Sequence, residues 1–567
     1  MRVRGARTAP HGRRARRAAL LALVAAAAAA CSPAREDSAP TEVKVEAEAP
    51  LPRRTRGYVL VSIDTLRADH LGSYGYARPT SPFLDSLAAQ GTLFEEAYSH
   101  YPSTLVSHMS MLTGLLPREH GVLPPNSVLA PEVETLAQVF QRGGFATGAF
   151  TEGGYMSGRF GFRRGFDTFV ARDRQGSRQV ERTFRRGTAF LEALPAGRPF
   201  LLFLHTYAVH APYDAPERYQ RMFWQGEPPP GAPPPTPRAL TQQNLAGDPL
   251  PPRAVEYLTA TYDAGIRETD DVLRAFFADL GRLGLRDDVT VVVTADHGEE
   301  LQDHGRFHHT QLYREVMRVP LLVLHPDRRD PVRQPGLVGL ADLAPTLYEL
   351  ARLAPRQTPS GGSLARLLGG PARTPAAPAS AWIEGGHGER ALYRQEDGRI
   401  RSLLLADPPA QEWMGRRLVF DASGGELRFT ARAYGEPRRL RVRAGDAELP
   451  DLTLSPEWGP ALLRLPPRRT RVSLEADGCG TPPEEAGARE PRCLAFQLRG
   501  VRPARIELYD LREDPGQRRD LSTTESRETR RLLSELAAFR PRPRAGPAAA
   551  PLDPELVESL RALGYLQ

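Results

Sequence analysis

Residues 58–64 are YVLVSID, a mostly apolar run that ends in an aspartate. Two later segments have the same form: residues 200–205 are FLLFLH, and residues 289–297 are VTVVVTADH. Continuous runs of β-branched and large apolar residues are typical of strands buried on both faces, as in parallel sheets. Each run leads into aspartate or histidine, the side chains that bind divalent metal ions in proteins.

Strand-like and helix-like segments alternate from Gly57 to about residue 355. The predicted strands are Tyr58–Ile63, Phe145–Phe150, Phe200–Leu204, Val289–Thr294 and Val319–Leu324. The predicted helices include Pro82–Gln90, Val133–Arg142 and Tyr257–Leu280. This alternation predicts an α/β sandwich with a mostly parallel central sheet, occupying residues 57–355. The proline-rich residues 227–252 are expected to form a surface loop.

Polar side chains at the ends of three predicted strands suggest a common site. The carboxyl ends of parallel strands share one edge of a sheet, and ligands bind at that edge. We therefore expect Asp64, His205, His210 and the pair Asp296–His297 to converge there. A single aspartate after a strand is commonly a turn residue or a helix cap, but three coincidences at one edge favour a metal site.

Residues 104–114, TLVSHMSMLTG, predict a helix that begins near Thr104 and is capped by Gly114. Ser107 and His108 would share one face with Thr104. The free N–H groups and the positive end of the helix dipole suit an anionic sulfuryl or phosphoryl group. A hydroxyl beside a metal ion there could act as a nucleophile. The alternative is that Thr104 only caps the helix.

The N-terminal region predicts export. Several arginines precede the apolar run Ala18–Ala30, which is too short to span a bilayer as a mature helix. Residues 1–30 are therefore predicted to be a signal peptide. Ala29-Ala30-Cys31 resembles a bacterial lipobox, so Cys31 is the expected lipidation site, with plain secretion or a retained anchor as alternatives. The expected product is a membrane-anchored lipoprotein facing the periplasm or the cell surface, with residues 31–56 as its linker.

The C-terminal half has a different sequence pattern. Residues 356–414 are interpreted as a linker and the start of a C-terminal subdomain, and residues 506–567 as its end with a helical tail. Short alternating segments over residues 415–505 predict a β-rich insert, which either binds carbohydrate or shields the site. The predicted strands there are Leu427–Ala433, Leu440–Arg443, Ala461–Leu465, Arg471–Glu475 and Leu494–Leu498.

Composition limits the partners of the chain. In an oxidising compartment Cys479 and Cys493 are candidates for a disulfide, and two free thiols are the alternative. The formal net charge is +7, and Lys44 is the only lysine. Arginine bias on a solvated surface explains this charge, so nucleic-acid binding is not predicted. The chain contains no G-x-S-x-G element of serine esterases.

Taken together, the motifs resemble those of the sulfatase family within the alkaline-phosphatase superfamily. Residues 59–76 are similar to the opening motif of the family, and residues 100–122 to its nucleophile helix. Residues 294–301 (TADHGEEL), 304–305 and 319–321 are similar to its second metal motif. Residues 342–346 and 507–511 also match, and all these motifs occur in family order.

The resemblance implies an alkaline-phosphatase-like fold and a role for each matching residue. Asp64, Asp296 and His297 match metal ligands, and Thr104, also a ligand, takes the nucleophile position. His108 takes the place of an arginine of the family and is expected to stabilise the ester oxygens in catalysis. The positions that bind the ester or protonate the leaving oxygen are matched by His205, His210 and His308. His304 and His309 lie nearby without an assigned role.

Departures from the family pattern leave the ester class open. Formylglycine is made from cysteine or serine, so it is not expected at Thr104; Val106 replaces a proline, and Thr65 replaces an aspartate. A threonine nucleophile is similar to lipoteichoic-acid-synthase-like and phosphoethanolamine-transferase-like members, which use one divalent ion, often manganese. One divalent cation is therefore expected, manganese or calcium, with magnesium as a further option.

We therefore expect a metal-dependent hydrolase that cleaves sulfate or phosphate esters outside the cytoplasm, on a glycan or a lipid headgroup. A phosphodiesterase or phosphotransferase with a phospho-threonine intermediate is the first alternative. The second is a catalytically silent lipoprotein that binds anionic glycans. Buried carboxylates without a cation are costly, which argues against the silent alternative.

Overall fold

The computed structural model describes residues 51–171, 179–246, 248–370, 379–385, 389–406, 417–422, 425–457, 459–466, 470–478, 496–502, 505–541, 548–549 and 554–563. The predicted signal peptide, the expected lipidation site Cys31, and Cys479 and Cys493 lie outside these residues. Within the described ranges, no helix combines the length and the apolar character that crossing a bilayer requires.

The described strands are numbered β1 to β23 in chain order. They are β1 Gly57–Ile63, β2 Thr92–Tyr98, β3 Ser127–Val128, β4 Ala146–Thr151, β5 Thr168–Ala171, β6 Phe200–Thr206, β7 Val289–Thr294, β8 Glu300–Leu301, β9 Phe307–His308, β10 Arg318–Leu324, β11 Val332–Gly339, β12 Ala379–Glu384, β13 Arg390–Glu396, β14 Arg399–Ala406, β15 Arg417–Ala422, β16 Gly425–Ala433, β17 Arg438–Ala444, β18 Ala447–Leu454, β19 Gly459–Leu465, β20 Thr470–Ala476, β21 Phe496–Arg502, β22 Arg505–Asp510 and β23 Ala548–Ala549. Most of them belong to a large central sheet, a C-terminal sheet, or the sheets of an inserted region.

The described α-helices are numbered α1 to α12. They are α1 Pro82–Ala88, α2 Thr104–Thr113, α3 Pro117–His120, α4 Leu136–Arg142, α5 Val180–Glu192, α6 Glu217–Phe223, α7 Pro237–Ala246, α8 Pro252–Arg282, α9 Arg314–Met317, α10 Leu343–Ala351, α11 Ser526–Ala538 and α12 Pro554–Ala562. Short 3₁₀ helices lie at Ala68–His70, Gly72–Tyr74, Gly154–Met156, Gly158–Phe160, Leu340–Asp342 and Ala365–Leu367.

The central sheet has eight strands in the order β11-β2-β10-β7-β1-β6-β4-β5. Strands β7, β1, β6, β4 and β5 run parallel side by side, whereas β10 is antiparallel to both of its neighbours. Every residue of β1, β6 and β7 is buried, which explains why their sequences are mostly apolar and do not alternate with exposed polar residues. The predicted α/β sandwich with a mostly parallel sheet is confirmed.

Helix α7 is a difference from the sequence-based expectation. Residues 227–252 were expected to form a loop, yet residues 237–246 are helical. Prolines cluster ahead of this helix, and Pro237 occupies its first position, where a missing N–H costs nothing because no helical partner exists for it. The loop prediction is therefore wrong for this part of the segment.

A second, antiparallel sheet in the order β12-β13-β14-β22 forms the C-terminal subdomain. Helix α11 packs on it, burying Leu532 and Leu536 against the sheet. Strands β14 and β22 are hydrogen-bonded neighbours, with Ala406 opposite Arg505. The chain between them therefore leaves the sheet and returns to it at adjacent positions.

The region between β14 and β22 is a β-rich insert. Its strands form a four-stranded sheet in the order β15-β20-β17-β18 and a three-stranded sheet in the order β19-β16-β21. They enclose a hydrophobic core of their own, which includes Leu427, Phe429, Leu440, Val442, Leu463, Val472 and Leu474. Four of the five predicted strands correspond to β16, β17, β19 and β20; the fifth, Leu494–Leu498, begins outside the described residues and overlaps β21.

Helix α1 receives its N-terminal cap from another helix. Asp270, fully buried on α8, accepts hydrogen bonds from the backbone N–H groups of Phe83 at 2.9 Å and Leu84 at 2.8 Å. Ser81, at the usual capping position, makes no side-chain cap bond. Free N–H groups at a helix start need such acceptors, so Asp270 joins α1 to α8.

We predict that Asp270→Ala destabilises the fold by about 1–3 kcal/mol, because two buried N–H groups lose their acceptor. Thermal and urea unfolding would measure the loss. The neighbouring Asp271→Ala is the matched control, since it removes only partly exposed ion pairs with Arg267 and Arg274 and should cost less than about 1 kcal/mol. Equal effects of both substitutions would contradict the capping role.

Candidate active site

Three neighbouring strands bring the predicted metal ligands to one edge of the central sheet. Strand β1 lies between β6 and β7, so that Ser62 is opposite both His205 and Thr294. Asp64 follows the end of β1, and Asp296 and His297 follow the end of β7. The parallel arrangement therefore brings together side chains that are more than 200 residues apart in the sequence.

Asp64, Asp296 and His297 form a compact group. Each offers one ligand atom, these atoms lie within 4.8 Å of one another, and all three residues are fully buried. The Asp296 Oδ2 atom lies 3.3 Å from His297 Nε2. Aspartate oxygens and an imidazole nitrogen at this spacing are a suitable donor set for a divalent cation.

In each of the three residues, one side-chain atom makes a hydrogen bond to the protein and another has no hydrogen-bond partner. Asp296 Oδ1 accepts the backbone N–H groups of Thr65 and His297, at 3.2 Å and 2.9 Å. The Nδ1 atom of His297 donates to the carbonyl oxygen of Gly298 at 2.9 Å. Asp64 Oδ1, Asp296 Oδ2 and His297 Nε2 have no hydrogen-bond partner although they are buried. Such orphaned polar atoms are costly, so the residues fit a bound cation.

The two carboxyl groups have opposite pKa shifts. Burial, together with the nearby Asp296, raises the pKa of Asp64 well above its usual range. Burial acts to raise the pKa of Asp296 too, but His297, His108 and His205 outweigh it and hold that pKa below its ordinary value. In the cation-free state the group therefore favours a single negative charge shared by two acids.

Thr104 lies directly beside this group. It is the first residue of α2 and is fully buried, and its hydroxyl donates a hydrogen bond to Asp64 Oδ2 at 3.0 Å. Helix α2 is buried along its whole length and ends at Gly114, whose positive φ of 70° suits glycine. A rigid helix thus presents the Thr104 oxygen beside the predicted ligands.

His108 connects α2 to β1. Its Nδ1 atom donates to the Thr104 carbonyl oxygen at 2.8 Å, and its Nε2 atom lies 2.9 Å from Ser62 Oγ. Both ring nitrogens therefore have partners within the protein. The contacts hold the first turn of the helix in place, and the expected contact of His108 with ester oxygens stays a prediction.

His210 and His309 form one wall of the site. The Nδ1 atom of His210 donates to the Ala211 carbonyl oxygen at 2.6 Å, and that of His309 donates to the Pro102 carbonyl oxygen at 2.9 Å. Their ring centroids are 5.6 Å apart, and the His309 centroid lies 4.3 Å from that of His297. Burial lowers the pKa of His210 to about 3. His309 had no assigned role in the sequence analysis, yet it lies against a predicted ligand.

His308 contacts helix α7. Its Nε2 atom lies 3.1 Å from both the Pro237 carbonyl oxygen and the Thr241 hydroxyl of α7. Its backbone has a φ of 73°, a left-handed conformation that is uncommon for a residue other than glycine. These contacts fasten α7 to the β8–β9 hairpin, and the expected role of His308 at the ester stays a prediction.

His304 belongs to the packing around the hairpin. Its ring stacks on Tyr313 with a centroid distance of 3.6 Å, and its Nδ1 atom lies 2.5 Å from a Glu315 oxygen. Its other nitrogen contacts the Gln517 carbonyl oxygen at 3.1 Å. Both ring nitrogens of His304 therefore have partners, Glu315 and Gln517, and these contacts stabilise the packing around the hairpin.

The chain is similar in sequence to proteins named as arylsulfatases. An arylsulfatase K from Mus musculus is 25% identical over 330 residues, covering 51% of this chain and 59% of the relative. An arylsulfatase from Clostridium perfringens is 24% identical over 374 residues, covering 55% of this chain and 78% of the relative. The chain thus matches about three fifths of the length of the mouse relative.

Two solved structures have the same fold at low identity. A protein in complex with its substrate D-glucosamine-2-N,6-O-disulfate has a TM-score of 0.57 and 15% identity, over 85% of this chain and 97% of that one. The phosphonate monoester hydrolase of Agrobacterium radiobacter has a TM-score of 0.55 and 17% identity, over 86% and 96%. The family model of the sulfatases matches residues 56–353, more than half of the sequence. This chain therefore belongs to the sulfatase family.

Proposed function

We propose that this chain is a metal-dependent hydrolase of sulfate monoesters that uses the Thr104 hydroxyl as its nucleophile. The observation that carries the proposal is the shared carboxylate of Asp64. One oxygen of this carboxylate accepts the Thr104 hydroxyl at 3.0 Å, and the other has no partner and belongs to a group suited to a cation. Family membership and the names of the arylsulfatase relatives support the ester class.

Asp64, Asp296 and His297 would hold the cation. When bound, a divalent cation lowers the pKa of a nearby hydroxyl and stabilises negative charge on the oxygens of the ester. Asp64 Oδ2 is placed to accept the Thr104 proton, since it already accepts that hydrogen bond. The backbone N–H groups at the start of α2 add positive potential for the anionic ester.

The reaction would proceed in two displacements. The Thr104 oxygen forms a bond to sulfur while the bond between sulfur and the alcohol oxygen breaks, leaving a sulfo-threonine. The departing oxygen takes a proton from an imidazole of the wall formed by His210 and His309. An anionic ester beside these rings would favour their protonated forms, opposing the effect of burial. Water then attacks sulfur and gives a proton to the same imidazole, while the bond between sulfur and the Thr104 oxygen breaks. The Thr104 oxygen takes its proton back from Asp64, and sulfate is released.

Phosphate esters are the second candidate substrate class. The observation that favours them is the nucleophile position itself, where a threonine hydroxyl lies in place of formylglycine. The substrate would carry its ester on a glycan or a lipid headgroup, and the disulfated sugar bound to one structural neighbour makes a glycan the first choice. A panel of sulfate monoesters, phosphate monoesters and phosphodiesters would separate the classes by kcat/KM.

We also propose that the chain is exported and anchored to a membrane through a lipid on Cys31. The support is the arginine-rich leader, the apolar run Ala18–Ala30 and the lipobox-like residues before the cysteine. An extracytoplasmic location would suit an enzyme that meets glycans outside the cell.

Divalent cations should stabilise the protein. We expect manganese, calcium or magnesium to raise the unfolding temperature of the metal-stripped chain. At a free ion concentration of 100 Kd, the free energy of unfolding should increase by about 2.7 kcal/mol. Asp296→Asn should abolish the shift, because it removes a ligand, whereas Asp271→Asn on the surface of α8 should keep it. An unchanged unfolding temperature with every cation would favour the silent glycan-binding alternative.

Thr104→Ala should lower turnover by roughly 10³-fold or more while leaving the fold intact, because the nucleophile is lost. Thr104→Ser, which keeps a hydroxyl, is the matched variant and should retain much more activity. Steady-state kinetics with the best ester of the panel would measure both, and mass spectrometry of the peptide holding residue 104 would identify a trapped sulfate or phosphate. Near-normal turnover of Thr104→Ala would refute the nucleophile assignment.

Cys31→Ser should move the protein from the membrane fraction to the soluble extracytoplasmic fraction, because the acyl chains have no attachment site. Cell fractionation followed by immunoblotting would measure this in a bacterial host. A variant that stays with the membrane would show that another segment anchors the chain.

A further inference from the structure

His205 contacts a predicted metal ligand through one nitrogen. It lies in β6 opposite Ser62 of β1, and Asp64 is two residues beyond Ser62, so the two side chains are on the same face of the sheet. The Asp64 N–H donates to the Thr206 carbonyl oxygen at 3.0 Å, which fixes the ends of the two strands together. The His205 Nε2 atom consequently lies 3.1 Å from Asp64 Oδ2.

The direction of this hydrogen bond follows from the chemistry of its partners. A bound cation would hold Asp64 in its ionised form, and an ionised carboxylate only accepts hydrogen bonds, so the proton of this contact would then be on Nε2 of His205. The Nδ1 atom is buried and has no hydrogen-bond partner. Burying Nδ1 without a partner costs free energy. The hydrogen bond of Nε2 is the polar contact that offsets this cost and accounts for the position of the ring.

Neighbouring rings fix His205 in this orientation. His108 packs against it with a centroid distance of 4.9 Å and Tyr207 with one of 4.6 Å, both nearly perpendicular to it. His205 is also fully buried. The ring is thereby directed at Asp64 by packing as well as by its hydrogen bond.

We propose that His205 is a positioning residue for the cation site. By donating to Asp64 Oδ2, it orients the carboxylate so that Oδ1 faces the ligand atoms of Asp296 and His297. It also shares Oδ2 with the Thr104 hydroxyl, which places nucleophile and ligand on one carboxylate. This inference rests on the proposed binding of a divalent cation. Under this proposal His205 orients the Asp64 carboxylate, whereas the sequence analysis expected it to act on the ester.

The test compares two substitutions by direct metal binding, without any ester. His205→Leu removes the donor, whereas His205→Gln keeps an N–H group near the Nε2 position. We expect the Kd for Mn²⁺, measured by calorimetry on the full chain, to rise about 10- to 100-fold in His205→Leu and only a few-fold in His205→Gln. Thermal unfolding of the metal-free proteins would confirm that each variant is folded.

His205→Asn keeps the test decisive if the leucine variant does not fold. Its shorter amide reaches only the Nδ1 position, so it should lose Mn²⁺ affinity as the leucine variant would. Wild-type affinity in His205→Leu or His205→Asn, or equal losses in the asparagine and glutamine variants, would overturn the positioning role alone. Absence of Mn²⁺ binding by the wild type would overturn the proposed function as well.

Discussion

Two buried carboxylates side by side are the physical constraint on which the site depends. Asp64 and Asp296 are fully inaccessible to solvent, and each has one oxygen held by the protein and one oxygen without a partner. Like charges in a low-dielectric environment repel strongly, so this arrangement is stable only with a proton or a cation between them. The adjacency of β1 and β7, and the left-handed Thr65 that offers its N–H to Asp296, serve to hold this pair.

Around the carboxylates the protein supplies imidazoles, and burial favours their neutral forms. The pKa values of His108, His205, His210 and His309 are all lowered, by burial first and by at least one neighbouring histidine in each case. A neutral imidazole can orient a carboxylate or exchange a proton without adding a permanent charge. The site therefore combines two buried carboxyl groups with imidazoles whose charge can respond to an anionic ligand.

Much of this arrangement could be predicted from the sequence. Strands β1, β6 and β7 are recognisable because both faces are buried, and parallel strands necessarily bring their ends to one edge. Strand β2, in contrast, carries Glu95 and Glu96 in its middle, and this polar pair hides its apolar character. Helix α7 was hidden by the prolines that precede it.

The roles of individual histidines could not be predicted in the same way. His308 and His309 are adjacent in the sequence, yet the His309 ring packs against His297 whereas His308 contacts α7. The contact between His205 and Asp64 depends on the register of β1 against β6, which spacing along the chain does not contain. Sequence patterns therefore identify which residue types meet at the sheet edge, whereas backbone geometry assigns their partners.

The pairing of β14 with β22 has a consequence for how such proteins diversify. The insert departs after Ala406 and rejoins at Arg505, and these residues face each other across one hydrogen-bonded ladder. A short hairpin turn could close the same gap, so the parent sheet imposes almost no requirement on the length or content of what is spliced in between. Recombination at this junction could therefore exchange whole accessory modules among homologues while the ladder on either side stays intact.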